Sequence, residues 1–200
     1  MKLVLATRNA DKVREICAAL EGLALEVLTL DQFPQVPDLI EDGQTLAENA
    51  IKKARTVYEF TRMLSLADDT GLEVDFLDGA PGVYSSRFAG PGATYDDNVQ
   101  KLLQRLRKVP HEQRTARFRC VIAFVGPEVE QLVEGVCEGI ILEQRRGQGG
   151  FGYDPVFYVP QLSQTFAEMP LAVKNKISHR GIALQKARAL LEEWLASSQR

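Results

Sequence analysis

The sequence predicts an α/β domain built on a mixed β-sheet. Short apolar strand-like runs alternate with stretches of helical spacing, and two long strand-like segments follow one another near mid-chain. Polar clusters sit where strands end, which is where open α/β sheets bind ligands. No linker, internal repeat or low-complexity stretch interrupts the 200 residues, so 1–200 reads as one domain of two lobes.

Lys2 to Ala6 is a short buried strand, and Asn9 caps a helix with Val13, Ile16, Cys17 and Leu20 on its apolar face. Leu25 to Leu30 is a second strand, followed by a loop through Pro34 and Pro37 to Glu41. Thr45 and Glu48 match a capping box ahead of a helix carrying Leu46, Ala50, Ile51, Ala54 and Val57. Leu64 to Ala67 is a strand stopping at Asp68-Asp69-Thr70-Gly71, with Leu72 to Val74 a further short strand. Residues 78–92, rich in Gly and Pro, are loop. Thr94 caps a helix with Val99, Leu102, Leu103 and Leu106, ended by Pro110. Phe118 to Val125 and Gln131 to Leu142 are paired long strands, and Gly147 to Pro155 is a glycine-rich loop. Ser178 caps a last helix that turns Leu184, Ala187, Leu190, Leu191, Trp194 and Leu195 to the core.

Composition narrows the function. The chain is 45% hydrophobic and 26% charged, as ordinary globular proteins are. A net charge of -3 argues against a nucleic-acid partner, which calls for a basic footprint. Cys17, Cys120 and Cys137 form no metal or disulfide pattern and read as reduced, mostly buried thiols of a cytoplasmic protein. The apolar run at Leu3 to Ala6 is too short for a signal peptide or a membrane span, so no membrane partner is expected.

Five segments carry chemistry. Thr7-Arg8-Asn9-Ala10-Asp11-Lys12 runs from a strand end into a helix start, where free N–H groups and side-chain donors suit phosphate. Glu41 precedes the helix bearing Glu48 and Asn49; Glu48 is read as a cap. Asp68 and Asp69 at a buried strand end need a compensating cation, and Mg2+ suits a few carboxylates plus phosphate oxygens. Gly147 to Pro155 permits close backbone approach, and Phe151 or Tyr153 can stack on a flat base. In Lys174 to Gly181, His179 and Arg180 place cations in a first helical turn, against the helix dipole, which points them at a ligand. The basic residues Arg105, Arg107, Lys108, Arg114, Arg117 and Arg119 read as a solvated face or dimer rim.

Taken in order, these segments and Gly79-Ala80-Pro81-Gly82-Val83-Tyr84-Ser85 resemble the inosine triphosphate pyrophosphatase family, the Ham1 or RdgB type, over nearly the whole chain. The resemblance implies an elongated mixed sheet flanked by helices in two lobes with the active-site cleft between them. It implies hydrolysis of ITP, dITP and XTP to the monophosphate and pyrophosphate, with Mg2+ as cofactor and a homodimer as the assembly. By motif, Thr7 to Lys12 hold the triphosphate, Glu41 and Asp69 bind metal, and Asp69 is the general base with Asp68 as the alternative. Thr70, Phe151, Gly152, Tyr153, Asp154, Lys174, His179 and Arg180 match the substrate contacts. Thr70 stands where the family more often has Ser, and Arg8 where relatives often have Gly. The alternatives are a pyrophosphatase for other modified nucleotides and a catalytically silent nucleotide-binding module.

Overall fold

The computed structural model describes residues 1–197. It contains a sheet of eight strands: β1 (Lys2–Leu5), β2 (Glu26–Thr29), β3 (Leu64–Val74), β4 (Pro81–Gly82), β5 (Thr115–Gly126), β6 (Val129–Ile141), β7 (Phe157–Val159) and β8 (Gln164–Thr165). The strand order is β2-β1-β3-β5-β6-β7-β8, with β4 paired to β3. The five α-helices among the described residues are α1 (Ala10–Leu20), α2 (Leu46–Thr61), α3 (Tyr95–Arg105), α4 (Leu171–Ile177) and α5 (His179–Ser197). The sheet is mixed, as expected. β1 runs parallel to both β2 and β3, whereas β3–β4, β6–β7 and β7–β8 are antiparallel. Among the described residues, no helix is long and apolar enough to cross a membrane.

Two compact units emerge. The first comprises Met1–Asp69, Cys120–Gly135 and the segment from Arg180 onward; the second comprises Thr70–Arg119 and Val136–His179. The first unit holds the parallel strands. Leu3, Val4 and Leu5 are fully buried, which fits the near-continuous apolar run of a parallel strand covered on both faces. Its core gathers Leu3, Leu5, Ile16, Leu20, Leu66, Ile122, Phe124, Leu184 and Leu191, with Trp194 packed against it. The second unit has a more aromatic core, in which Phe118, Phe157 and Phe166 lie with Leu72, Val99, Leu102 and Ile141. Thr94 closes a reciprocal capping box with Asp97 at the start of α3.

Four readings change. First, β3 does not stop at Asp68. It runs through Asp68-Asp69-Thr70-Gly71 as a single 11-residue strand, because cations meet the two acids and no turn is needed to expose them. Second, Cys17 is exposed and Glu15 is buried in its place on the inward side of α1. Third, Arg114 leaves the solvated basic face. It is 2% exposed and donates to the carbonyls of Leu106, Val109 and Leu142, so it closes a helix end and a strand end from inside. Fourth, α3 ends at Arg105, well before Pro110. The short β4, which lies within the stretch 78–92 read as loop, and β7, β8 and α4 have no counterpart in the sequence reading.

Candidate active-site residues in the two units

In the first unit, the strand-to-helix segment is held by its own side chains. Asn9 caps α1: its Oδ1 accepts from the N–H groups of Asp11 (2.9 Å) and Lys12 (3.2 Å), while its own N–H donates to Thr7 Oγ1 at 3.2 Å. Those two first-turn amides are therefore engaged by the cap. The donor this segment offers a polyanion is the Lys12 ammonium. Arg8 is exposed and donates to the Val36 carbonyl at 3.3 Å, and Ala10 is exposed at the first helical position. Asp11, expected beside the substrate, instead pairs with Arg14 on the helix surface.

Successive strand residues face opposite sides of a sheet. This separates the two acids of β3, which the sequence presents as a pair. Asp69 Oδ2 accepts from the Asn49 amide at 3.1 Å, and Asp69 Oδ1 accepts from Lys53 Nζ at 3.0 Å. Lys53 Nζ also donates to Glu41 Oε1 (2.6 Å) and to the Asp68 carbonyl (2.7 Å), so its three protons meet three oxygens. The Asp68 carboxylate, fully buried, has a separate set of partners. Its Oδ2 lies 3.1 Å from Lys12 Nζ and 3.2 Å from Arg180 Nε, with Cys120 Sγ at 4.0 Å. Arg180 Nη1 in turn donates to Glu15 Oε2 at 2.6 Å.

These surroundings push the neighbours in opposite directions. Burial opposes ionisation of Asp68, but Lys12, Arg180 and Lys53 outweigh it and hold this carboxyl well below the usual carboxylate range. Burial also raises Asp69; Lys53 and Lys12 pull it down, Glu41 pushes it up, and the net direction is upward. Of the two, Asp69 is the one whose proton affinity is raised, and Asp68 is held as a fixed counter-charge.

Among the described residues, no group of three or more His, Cys, Asp and Glu side chains is arranged to hold a metal ion. Glu41 Oε1 and Asp69 Oδ1, however, converge on one point, where Lys53 Nζ lies. Two carboxylates with further oxygens from a phosphate are the donor set that Mg2+ takes, so these residues fit the group the sequence implies.

In the second unit the glycine-rich loop is organised around Asp154, which is buried. Its Oδ2 accepts from the Phe151 N–H (2.9 Å) and from Lys174 Nζ (2.7 Å). A Cβ on Gly150, at φ +69°, would fall 2.0 Å from that carboxylate oxygen, so the loop demands glycine there. Phe151 is half-buried, with the Lys174 ammonium 4.9 Å from its ring centre and Tyr95 at 5.8 Å. Gly152 follows with φ +61°. Tyr153, an expected base contact, is core instead: it is 4% exposed and its hydroxyl donates to the Ser85 carbonyl at 2.9 Å. His179 stacks on Phe118 at 4.4 Å between centroids, 3% exposed. Thr70 is half-buried on β3.

The sequence reading missed Lys53, and gave Glu15 and Asn49 no function. Lys53 looks like an ordinary helix lysine. The available signal was its position on the apolar face of α2, in line with Asn49, Ala50 and Ala54.

A model of the Ham1 family matches residues 3–190. The chain is 55% identical over 192 residues to a protein of Desulforamulus reducens named dITP/XTP pyrophosphatase, covering 96% of each. It is 50% identical over 195 residues to one of the same name from Geobacter sulfurreducens, covering 97% of this chain and 96% of that protein. A solved structure of a HAM1 protein from Coxiella burnetii superposes with a TM-score of 0.89 at 42% identity, covering 96% of this chain and 99% of the other. Sequence match, shared length and superposed fold agree, and the chain belongs to the Ham1 family.

Proposed function

We propose that this protein hydrolyses non-canonical purine nucleoside triphosphates, ITP, dITP and XTP, to the monophosphate and pyrophosphate with Mg2+. The observation that carries this reading is the convergence of Glu41 Oε1 and Asp69 Oδ1 on one cation position, in the unit that also holds Lys12 at a capped helix start. Relatives half or more identical to this chain carry the name of that activity, which supports the substrate class.

The chain's own residues then have distinct tasks. Lys12, with Thr7 at the strand end beside it, binds the triphosphate. Glu41 and Asp69 would hold Mg2+, which would supply Lewis-acid polarisation of phosphate oxygens. Asp69 orients a water and takes its proton as the oxygen attacks the α-phosphorus; the bond from the α-phosphorus to the bridging oxygen breaks and pyrophosphate leaves. Phe151 offers its ring to the base, with Gly152 allowing close approach and Asp154 and Lys174 fixing the loop. Thr70 and His179 complete the substrate contacts. A ring N–H of His179 favours a 6-keto acceptor, and an adenine amino group in its place costs roughly 1–3 kcal/mol as an unmatched donor. A homodimer in the cytoplasm completes the reading; three free cysteines support a reducing compartment.

The test is pyrophosphate release from ITP, XTP, GTP and ATP with Mg2+ and with EDTA. Release from ITP and XTP alone, abolished by EDTA, is expected. Orthophosphate release, or equal turnover of ATP, overturns the reading. Light scattering on an eluting column peak checks the dimer.

A further inference from the structure

Tyr95 stands at the first helical position of α3, directly after the Thr94 cap, and is 44% exposed. The capping box fixes the backbone around it: the Thr94 N–H donates to Asp97 Oδ2 at 2.8 Å and the Asp97 N–H to Thr94 Oγ1 at 3.2 Å. Neither helix propensity nor core packing asks for a tyrosine at so open a helix start. Its ring meets Phe151 of the glycine-rich loop, with centroids 5.8 Å apart and planes inclined by 41°, the spacing of a tilted aromatic pair.

The loop is held at its neck. The Arg146 N–H donates to the Pro155 carbonyl at 2.8 Å, and the Gly149 N–H to the Ala167 carbonyl at 3.0 Å. Beyond the neck the chain turns on Gly150 and Gly152, both at positive φ, so the backbone alone does not fix where the Phe151 ring points. Asp154 takes the Phe151 N–H and Lys174 places its ammonium near the ring, and Tyr95 reaches the same ring from α3. The same helical turn holds the loop a second time. Arg145 pairs with the Asp96 carboxylate, and its Nη2 donates to the Asp96 carbonyl at 3.3 Å. Consecutive residues of α3 thus grip the approach to the loop and the ring at its tip.

We propose that Tyr95 is a positioning residue for base recognition: its ring backs Phe151, so that Phe151 presents a fixed face to the purine. The proposal rests on the reading of Phe151 as the ring on which the base stacks. A stacking partner that is already ordered loses less side-chain freedom when the ligand arrives, so the same contact gives more affinity. A ligand without a base gains nothing from it.

The variants are Tyr95→Ala, Tyr95→Leu, Tyr95→Phe, Phe151→Ala, and Tyr95→Ala combined with Phe151→Ala. The readouts are affinities for inosine monophosphate and for inorganic pyrophosphate by calorimetry, KM and kcat for ITP, and the thermal midpoint. Tyr95→Ala weakens inosine monophosphate binding and raises KM for ITP by roughly three- to tenfold, the scale of one aromatic pair, while kcat and pyrophosphate affinity stay at parental values. Tyr95→Phe keeps the ring and restores both. Tyr95→Leu behaves as Tyr95→Ala does, and carries the test if the alanine variant lowers the midpoint. In the Phe151→Ala background the Tyr95 change costs nothing further, because Tyr95 acts through that ring.

Unchanged inosine monophosphate affinity in Tyr95→Ala overturns the proposal. Tighter binding overturns it too, by making Tyr95 a shield over the Phe151 ring. A matching loss of pyrophosphate affinity overturns it as a general loosening of the fold. Losses that add in the double variant make Tyr95 a base contact in its own right and overturn the indirect role. If Phe151→Ala itself leaves inosine monophosphate affinity untouched, the stacking reading of Phe151 fails, and the positioning role fails with it by a separately visible result.

Discussion

The two units equip their candidate residues in contrasting ways. The first gathers charge: Glu15, Glu41, Asp68 and Asp69 against Lys12, Lys53 and Arg180, nearly all buried. The second, among the described residues, buries the ion pair of Lys174 with Asp154, whose ammonium lies over the rings of Phe151 and Phe166. Burying charge is costly unless each ion is paired and hydrogen-bonded. The first unit meets that condition by alternating signs, which is the arrangement a phosphate anhydride and a metal ion demand. The second uses its buried ion pair to fix the glycine loop, with the Phe151 ring beside the Lys174 ammonium.

Substitutions in the two units should separate the terms of catalysis. Asp69→Asn is expected to lower kcat by about 10²–10⁴-fold, the usual scale for a general base, with KM for ITP little changed. A KM effect of equal size would dissolve the contrast. Next in size are the two buried lysines. Lys53→Met leaves Glu41 and Asp69 without their cation and should cost roughly 3–5 kcal/mol in urea unfolding. Lys174→Met abandons a single acid and should cost less; the opposite ranking would mean that charge is managed alike in both units.

Phe151→Ala should raise KM for ITP by the equivalent of roughly 1–3 kcal/mol of lost stacking, with kcat and thermal midpoint close to the parent's. The finest test is pH. Asp69 must be ionised to act, and in the metal-free protein burial and Glu41 raise its proton affinity, so of the two acids it is the first to take up a proton on acidification. Asp68 is shifted the other way. Its contribution to stability is fully present above its unfolded value of 3.8 and is lost only as pH falls through the lowered folded value. On acidification Asp69 should therefore take up its proton before this part of stability is lost, and Asp68→Asn should flatten the stability profile over that range.

What was readable in the sequence is what local chemistry decides. Asn9, Thr45 and Thr94 announce helix starts, and each side chain accepts the cap hydrogen bonds expected of it. The long β5 and β6 follow from their apolar runs, and the glycine loop from its composition. What escaped depends on partners far away in sequence. Asp68-Asp69-Thr70-Gly71 looks like a turn because its cations lie elsewhere; Arg180 meets Asp68 from 112 residues away. Arg114 looks like one of a basic run until three carbonyls close around it. The face of α1 was misjudged at Cys17 because apolar spacing alone does not reveal that Arg180 draws Glu15 inward. Motif resemblance supplied Glu41 as a ligand, and the structure adds the lysine on which Glu41 and Asp69 converge.

The Lys53 ammonium, bonded to Glu41, Asp69 and the Asp68 carbonyl, gives the fold a built-in countercation. Like-charge repulsion between the two carboxylates is relieved by the polypeptide itself. Folding is thereby uncoupled from metal supply, unlike small zinc domains that collapse when chelated. The protein should pass through synthesis, purification and dialysis against EDTA with its architecture intact. On the proposed Mg2+-dependent reading, metal scarcity would then silence it reversibly, without sending it to proteases as an unfolded chain.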